Sequence, residues 1–414
     1  MPQKDLYEKL LTSYEFMLGR LPNRGEFLEA LRATLSEEDA RLVLLLPFRG
    51  EIPISRFVEK ARALRIEPER VYDAVKRLVP EGIIASYIKP RGRAGRAYPA
   101  PAPLIKARHE GRVVMRGDIL SLTEMQVRKH EHDPMRNASA HFMNSMTEDA
   151  GRSIPTRTPY YRVLPSEGAV SRSPAYGKVA LEVKVPDPRE VLPTDVVSEM
   201  IRREPVIALA ECYCRRTKQI VGEPCKHPTE TCLYFNELAL LQMETGRARR
   251  VSAEEAIKVV ELAEEAGLVH NVSNCEGAIS SLCNCCSCSC GVMKSMAMGL
   301  SSAGGPSRFV VRHERASCRS CGRCAAACPV GALSLRDGAL EAALDRCVGC
   351  GLCVGKCERG SLSLEPRTRK PRVYRDGRSL MRRLTAEALL SLVSGGLRRR
   401  PSGKGSSGDA ACTR

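Results

Sequence analysis

The chain has 414 residues, 43% of them apolar, which allows two to four domains with packed cores. It contains no Trp and only 4% aromatic residues, so those cores must be aliphatic. The N-terminus lacks an apolar signal core and no apolar run is long enough to cross a bilayer, which argues against export and against a transmembrane segment. We therefore expect a soluble, cytoplasmic protein, and in that reducing compartment its 19 cysteines favour metal binding over disulfides.

The net charge of +17 is concentrated towards the C-terminus. Residues 365–414 hold 13 Lys and Arg and 4 Asp and Glu, and 13 − 4 gives +9. We expect residues 367–414 to form a basic, partly disordered tail with one short helix, and we do not expect its Cys412 to be a metal ligand. Such a tail could steer an acidic partner or contact nucleic acid, although most basic tails are only solvated.

The first 100 residues predict a winged-helix-like domain. Apolar spacing predicts helices over residues 4–19, 26–46, 54–64 and 67–79, and the residues that follow predict a hairpin. Winged helices commonly place one helix in the major groove of DNA and the wing on its backbone. The same fold also serves as a protein-docking module, and docking is the preferred interpretation here.

Basic residues in this domain are the basis of the DNA-binding alternative. They lie in the predicted wing and on the helix that would enter the groove, where they are compatible with phosphate contacts. They are Lys89, Arg91, Arg93, Arg96, Arg70, Lys76 and Arg77.

Residues 101–190 form a connecting region with little sequence signal. Alternating apolar residues predict a strand over 179–188. No cysteine or carboxylate spacing completes a metal site around the histidines of this region, so we expect a solvated segment there. Those histidines are His130, His132 and His141.

Residues 191–300 predict a cysteine-rich α/β metal-binding domain. The pattern indicates a helix over 193–205, a buried strand over 206–212 and a capped helix over 253–266. Nine cysteines are the candidate ligands: Cys212, Cys214, Cys225, Cys232, Cys283, Cys285, Cys286, Cys288 and Cys290.

Thiols at this density would be prone to oxidation unless a metal held them. Thiolates select zinc, copper(I) and iron–sulfur clusters. We predict a further iron–sulfur cluster in this region, with a zinc–thiolate site as the alternative. Cys275 lies outside the dense runs and is interpreted as a plain thiol.

Residues 318–357 repeat the spacing C-x₂-C-x₂-C-x₃-C. One short loop can reach three corners of a four-iron cube, so the fourth cysteine of each run ligates the other cluster. The first predicted 4Fe-4S cluster is held by Cys318, Cys321, Cys324 and Cys357. The second is held by Cys347, Cys350, Cys353 and Cys328. A zinc ribbon, the alternative, would use paired C-x₂-C instead.

Other residues in this stretch suit clusters. Gly322, Gly349 and Gly351 leave room for backbone N–H groups to approach sulfur, and neighbouring aliphatic residues would exclude water. Positive side chains beside a cluster stabilise its reduced, more negative state. The candidates for that effect are Arg319, Arg323, Arg346 and Lys356.

These runs resemble the bacterial two-cluster ferredoxin domain. The resemblance implies a pseudo-symmetric pair of small hairpins and helices over roughly residues 308–366. Glu358 follows the eighth cysteine where that family often has proline.

Residues 205–365 carry C-x-C-R, G-x-x-C-x-x-P-x-E-T-C and C-N-C-C-x-C-x-C ahead of the ferredoxin motifs. The set is similar to a family of multi-cluster ferredoxin-like proteins of anaerobic bacteria, whose N-terminal winged helix also matches. That resemblance implies an α+β multidomain architecture and an electron-transfer role, without a defined reaction. Ser287 and Ser289 depart from the family, which commonly has glycine and cysteine there, so position 289 is not an indispensable ligand.

We predict an electron-transfer protein that exchanges electrons with a partner oxidoreductase. No nucleotide motif and no acid–base constellation indicates catalysis. The alternative is a redox-sensing winged-helix regulator that binds DNA. A further alternative is an iron–sulfur enzyme that uses the 212–290 site. A sensor needs one labile cluster, whereas several clusters in a chain suit conduction.

Overall fold

The computed structural model describes most of the chain: residues 5–15, 21, 23–47, 52–87, 113–116, 133–149, 156–172, 196–276, 279–300 and 303–395. The predicted basic wing, His130, His132, the strand over 179–188 and Cys412 lie outside these residues. The chain divides into two compact units. The first comprises Met1–Ser145, Tyr213–Pro224 and Asn236–Arg250, and the second Met146–Cys212, Cys225–Phe235 and Val251–Arg414.

The described residues contain both helices and strands. The helices are α1 (Leu6–Glu15), α2 (Arg24–Thr34), α3 (Glu37–Leu45), α4 (Ile54–Arg62), α5 (Pro68–Leu78), α6 (Pro134–Asp149), α7 (Glu167–Ser171), α8 (Val197–Arg202), α9 (Tyr213–Ile220), α10 (Asn236–Glu244), α11 (Ala253–Glu265), α12 (Gly291–Ala297), α13 (Arg323–Ala326), α14 (Leu352–Gly355) and α15 (Gly377–Gly395). The strands are β1 (Ile52–Pro53), β2 (Ile84–Tyr87), β3 (Val113–Arg116), β4 (Tyr161–Leu164), β5 (Ile207–Glu211), β6 (Glu230–Phe235), β7 (Arg249–Arg250), β8 (Val269–Ser273), β9 (Ser281–Cys285), β10 (Gly304–Gly305), β11 (Phe309–His313), β12 (Leu333–Arg336), β13 (Ala339–Ala342) and β14 (Leu362–Pro366).

The single helix predicted over 26–46 is wrong, because the structure has two helices there, α2 and α3. Ser36 begins the second helix. Its Oγ accepts a hydrogen bond from the backbone N–H of Asp39 at 3.1 Å, and the Asp39 carboxylate accepts one from the N–H of Ser36 at 3.2 Å. This reciprocal capping box satisfies backbone N–H groups that lack a partner at the start of a helix, so it favours a new helix here. The leucine periodicity continues across the break and concealed it.

The sheet of the first unit has the order β1-β3-β2, and both pairs are antiparallel. The strand that pairs with Ile84–Tyr87 lies at Val113–Arg116, beyond the limit of 100 expected for this domain. The amphipathic helices α4 and α5 bury Phe57, Val71 and other apolar residues in the core of the unit.

Six strands of the second unit lie side by side in one large sheet, in the order β10-β4-β8-β9-β6-β5. Only β10 and β4 pair in parallel, and the other four pairs are antiparallel. The α/β organisation expected for the cysteine-rich region is therefore corrected to a mainly antiparallel sheet. Antiparallel neighbours need only a short connection, such as residues 274–280 between β8 and β9, whereas parallel neighbours need a crossover of a dozen or more.

The two faces of this sheet differ. Leu209, Leu233 and Leu282 lie on one face, in a buried aliphatic cluster that includes residues of α8 and α11. Side chains alternate along a strand, so the residues directly before and after each of these leucines lie on the opposite face. That face carries the cysteines of β6 and β9, which are Cys232, Cys283 and Cys285.

A buried polar network holds β9 in place. The ring Nδ1 of His270 lies 2.6 Å from Oδ1 of Asn284, and its Nε2 lies 3.0 Å from Oε1 of Glu264 on α11. The Asn284 amide also donates to the carbonyl of Thr231 at 2.7 Å. Buried polar groups are stable only when they are paired, so this network fixes the register of β6, β8 and β9.

Residues Phe309–Pro366 form a small two-layered segment. Its inner strands β12 and β13 make a hairpin, and its outer strands β11 and β14 pair antiparallel, Phe309 opposite Pro366. The helices α13 and α14 follow Gly322 and Gly351, whose φ angles are +76° and +79°. The sequence predicts a pair of hairpins. The structure has one hairpin, β12-β13, and one two-stranded sheet, β11-β14, that joins the two ends of the segment.

The tail continues the fold further than expected. Helix α15 spans 19 residues, and its Leu380 packs with Tyr374 and Cys275. Its Glu387 accepts hydrogen bonds from the backbone N–H groups of Arg157 and Thr158, at 2.8 and 2.9 Å. None of the helices in the described ranges combines the length and the apolar character that crossing a bilayer requires.

Candidate metal centres

Four of the predicted ligands line one cavity. Cys328 comes from the first run of the repeat, and Cys347, Cys350 and Cys353 come from the second. The rest of the lining is apolar and includes Val311, Val330, Leu333, Val348 and Leu364. The cavity therefore presents sulfur from both runs within walls that repel water.

Backbone geometry supports the sulfurs of this segment. The N–H of Ala332 donates to Sγ of Cys328 at 3.1 Å, and that of Ser320 to Sγ of Cys318 at 3.4 Å. Gly349 has a φ of +68°, and a Cβ on it would lie 2.1 Å from the carbonyl oxygen of Phe309. Only glycine allows the chain to pass this close to β11.

The pKa values of these thiols follow the same grouping. Burial raises the pKa of the Cys350 thiol to about 12, and the nearby Cys328 and Cys347 act in the same direction. Burial also raises the pKa of Cys324, with smaller contributions from Cys357 and Cys321. The fourth cysteine of each run thus raises the pKa of a thiol in the other run.

Residues 310–358 match the family model of the 4Fe-4S dicluster domain. This segment is a ferredoxin-like iron–sulfur domain. All eight cysteines of the repeat lie inside the match, and the cysteines of 212–290 lie outside it. No curated protein and no solved structure gives a significant match to the chain. Iron–sulfur clusters are ligated by thiolate sulfur and are stabilised by backbone N–H donors and apolar surroundings. The residues of this segment provide all three and therefore fit a 4Fe-4S cluster.

Basic side chains surround the ferredoxin domain unequally. Arg323 forms an exposed ion pair with Glu358. Arg346 donates to the carbonyl of Val330 at 2.9 Å. Arg367, which the sequence analysis missed because it follows the expected limit of 366, is half-buried and donates to the carbonyls of Cys347 and of Ser307. Burial lowers the pKa of Arg367, and the Cys347 thiol opposes that shift.

Five upstream cysteines, which we call the five-thiol set, are linked by sulfur contacts. Cys232 on β6 is hydrogen-bonded to Cys212 and to Cys283, and Cys285 on β9 is hydrogen-bonded to Cys283 and to Cys290. Two strands, the residue after β5 and the residue before α12 supply the members: Cys232, Cys283, Cys285, Cys212 and Cys290.

The thiols of this set cannot all be charged together without a cation. Hydrogen bonds from Cys232 and Cys285 lower the pKa of Cys283 to about 6. Contacts with Cys212 and Cys283 raise the pKa of Cys232, and contacts with Cys283 and Cys290 raise that of Cys285, because one thiolate disfavours another beside it. A bound metal removes this conflict, since it replaces the protons with positive charge.

Three other cysteines, the three-thiol set, lie together elsewhere. The Sγ atom of Cys225 is 3.7 Å from that of Cys286 and 3.2 Å from that of Cys288. All three sulfurs lie within 4.8 Å of one another. The nine predicted ligands are thus divided, and the ninth, Cys214, lies on α9 in the first unit. Cys275 belongs to neither set and is buried against Tyr374.

The five-thiol set adjoins the ferredoxin domain. Cys285 and Cys290 share a buried apolar cluster with Cys350, which lines the ferredoxin cavity. Cys283, Cys328 and Cys347 pack against the same cluster. Its remaining buried members are Val163, Val269, Met293, Met296, Val330, Ala332, Val348 and Leu352.

Proposed function

We propose that the protein transfers electrons through two ferredoxin-type 4Fe-4S clusters and a further iron–sulfur cluster in the 212–290 region. A partner oxidoreductase would supply or accept the electrons. The observation that carries the proposal is the cavity that gathers Cys328 with Cys347, Cys350 and Cys353 inside a matched dicluster domain. When bound, such clusters supply one-electron transfer.

The ligand assignment of the ferredoxin domain is crossed in this proposal. Cys318, Cys321, Cys324 and Cys357 hold one cluster. Cys347, Cys350, Cys353 and Cys328 hold the other. The cavity lining and the effect of Cys357 on the pKa of Cys324 support this assignment. The residues of the chain exclude water, orient the sulfurs and donate backbone hydrogen bonds that stabilise negative charge on them.

The five-thiol set is our candidate for holding the further cluster. In the described residues, no three of its sulfurs lie within 4.8 Å of one another, so they are spread more widely than those of the three-thiol set. An extended set suits a cluster whose ligands bind separate irons. The apolar cluster that the set shares with Cys350 supports an electron path between it and the proposed second ferredoxin cluster.

One observation favours the regulator as a second candidate. The sheet order β1-β3-β2, with α4 and α5 between the first two strands along the chain, supports a winged-helix domain. The basic residues of α5 weigh against DNA contact, because each has a carboxylate partner. Arg70 lies 2.9 Å from Glu38, Lys76 lies 3.1 Å from Asp73, and Arg77 pairs with the buried Asp39.

Metal analysis of the anaerobically purified full-length protein tests the electron-transfer proposal. We expect about eight iron and eight sulfide per chain from the ferredoxin domain, and about four more of each from the further cluster. Cys232→Ser should remove only the additional iron and its paramagnetic resonance signal. Cys275→Ser is the matched control, because Cys275 is equally buried and belongs to neither set. Iron that stays near eight in the wild type would contradict the further cluster.

Duplex binding by the full-length protein tests the regulator. Weak binding that falls steeply with salt is expected of a general basic surface. Tight, sequence-specific binding at physiological salt, released on cluster oxidation, would favour the regulator.

A further inference from the structure

The three-thiol set is separate from the five-thiol set although the two meet in sequence. Cys285 and Cys286 are neighbours at the end of β9, and successive side chains of a strand point to opposite faces. Cys285 contacts Cys283 and Cys290 of the five-thiol set, whereas Cys286 lies with Cys225 and Cys288 against Ala263 and Leu268. One short sequence therefore supplies two sites.

Sulfur spacing distinguishes a single ion from a cluster. Four thiolates about 2.3 Å from a tetrahedral ion lie about 3.8 Å apart. The observed separations of 3.7 and 3.2 Å at Cys225 are close to that value. Ligands of a four-iron cube bind separate irons and lie further apart. Among the described residues, the three-thiol set brings three sulfurs within 4.8 Å of one another, whereas the five-thiol set is linked only in pairs.

We propose that Cys225, Cys286 and Cys288 bind one thiophilic divalent ion, Zn²⁺, at a site distinct from any iron–sulfur cluster. Thiolates are ligands that Zn²⁺ prefers, and three of them leave one tetrahedral position for water or another ligand. Cys286 is buried, while Cys225 and Cys288 are half-buried, so solvent can reach that position.

The position of the site gives it a structural role. Cys225 lies five residues before β6, which carries Cys232, and Cys286 follows β9, which carries Cys283 and Cys285. The ion would join segments that are 61 and 63 residues apart in sequence. It would thereby fix the ends of two strands that present the five-thiol set. Zn²⁺ has no redox chemistry, so the ion would carry no electrons.

The test is metal analysis and zinc-edge X-ray absorption of the full-length protein, purified anaerobically from zinc-containing medium. We expect about one zinc per chain, with about three sulfur neighbours near 2.3 Å. At a fixed free Zn²⁺ concentration, Cys225→Ser and Cys288→Ser should each lower zinc affinity at least tenfold and leave the iron of the ferredoxin domain and its resonance signals unchanged. Cys225→His should retain zinc and exchange one sulfur neighbour for nitrogen.

Cys275→Ser is the control and should retain both metals. The absence of zinc from the wild type, its retention in Cys225→Ser, or a loss of iron from the ferredoxin domain in that variant would each overturn the proposal. The absorption spectrum of the wild type decides the case even if a variant fails to fold. The proposal does not rest on electron transfer, because zinc at this site is measured whether or not the five-thiol set holds iron.

Discussion

The ferredoxin domain and the upstream cysteines arrange sulfur in two different ways. In the ferredoxin domain, short loops of three residues and two short helices hold the sulfurs around a cavity. In the 212–290 region, strands from distant parts of the sequence present cysteines on one sheet face, and the sulfurs contact one another. The first arrangement is local in sequence, and the second exists only in the folded sheet.

This difference predicts different failure modes. A local loop can keep its sulfurs close even when the surrounding fold weakens. The five-thiol set depends on strand register, because a shift of one residue would turn Cys283 and Cys285 to the opposite face. Changes to the fold should therefore damage the upstream site before they damage the ferredoxin domain.

The largest expected effect concerns the crossed ligands. Cys328→Ser should abolish the cluster of the second run, with a loss of about four iron, although Cys328 lies in the first run. Cys357→Ser should abolish the cluster of the first run. Iron content and paramagnetic resonance measure both. If Cys328→Ser and Cys318→Ser removed the same signal, the crossed assignment would be wrong.

Gly349→Ala should destabilise the ferredoxin domain by about 3 kcal/mol or more. The alanine would have to keep a left-handed backbone conformation, and its Cβ would also clash with a neighbouring strand. The new Cβ would lie 2.1 Å from the carbonyl oxygen of Phe309. Gly338→Ala is the matched control, because its φ is +72° but nothing lies within 4 Å of the new Cβ, so a cost of about 1–2 kcal/mol is expected. Anaerobic urea unfolding measures both, and equal costs would contradict the steric argument.

Asn284→Ala should cost about 1–3 kcal/mol, because it leaves His270 Nδ1 and the Thr231 carbonyl without their hydrogen bonds to Asn284. Weakened register should also lower the iron of the five-thiol set before that of the ferredoxin domain. Leu262→Ala on α11, where the side chain is exposed, serves as the control and should change stability by less than about 0.5 kcal/mol. Equal iron loss from both regions would contradict the comparison drawn above.

The smallest expected effect is on potential. Arg367→Gln removes a half-buried positive charge beside Cys347 and should lower one ferredoxin potential by about 50 mV, less than a tenfold change in a one-electron equilibrium. Arg367→Lys retains the positive charge, so it should shift this potential less than Arg367→Gln. Arg323→Gln should shift it less, because Arg323 is exposed and paired with Glu358. Redox titration measures all three, and a larger shift for Arg323 would show that exposed charge dominates.

Some differences from the sequence predictions have local causes. The capping box at Ser36 was present in the sequence as Ser36-x-x-Asp39, but the leucine period masked it. The alternation Leu282-Cys283-Asn284-Cys285 was a strand signal that the metal interpretation of the cysteines concealed. Both could have been found by pattern alone.

The sequence by itself determined the ferredoxin domain. Its eight cysteines lie within 40 residues, and their spacing matches a four-iron cube, so no distant contact is needed to recognise the domain. The tertiary structure alone divided the upstream cysteines. Cys225 and Cys286 are 61 residues apart, and nothing in their local patterns states that they meet while the adjacent Cys285 turns away. Strand pairing and side-chain alternation decide that partition, and both are properties of the folded sheet.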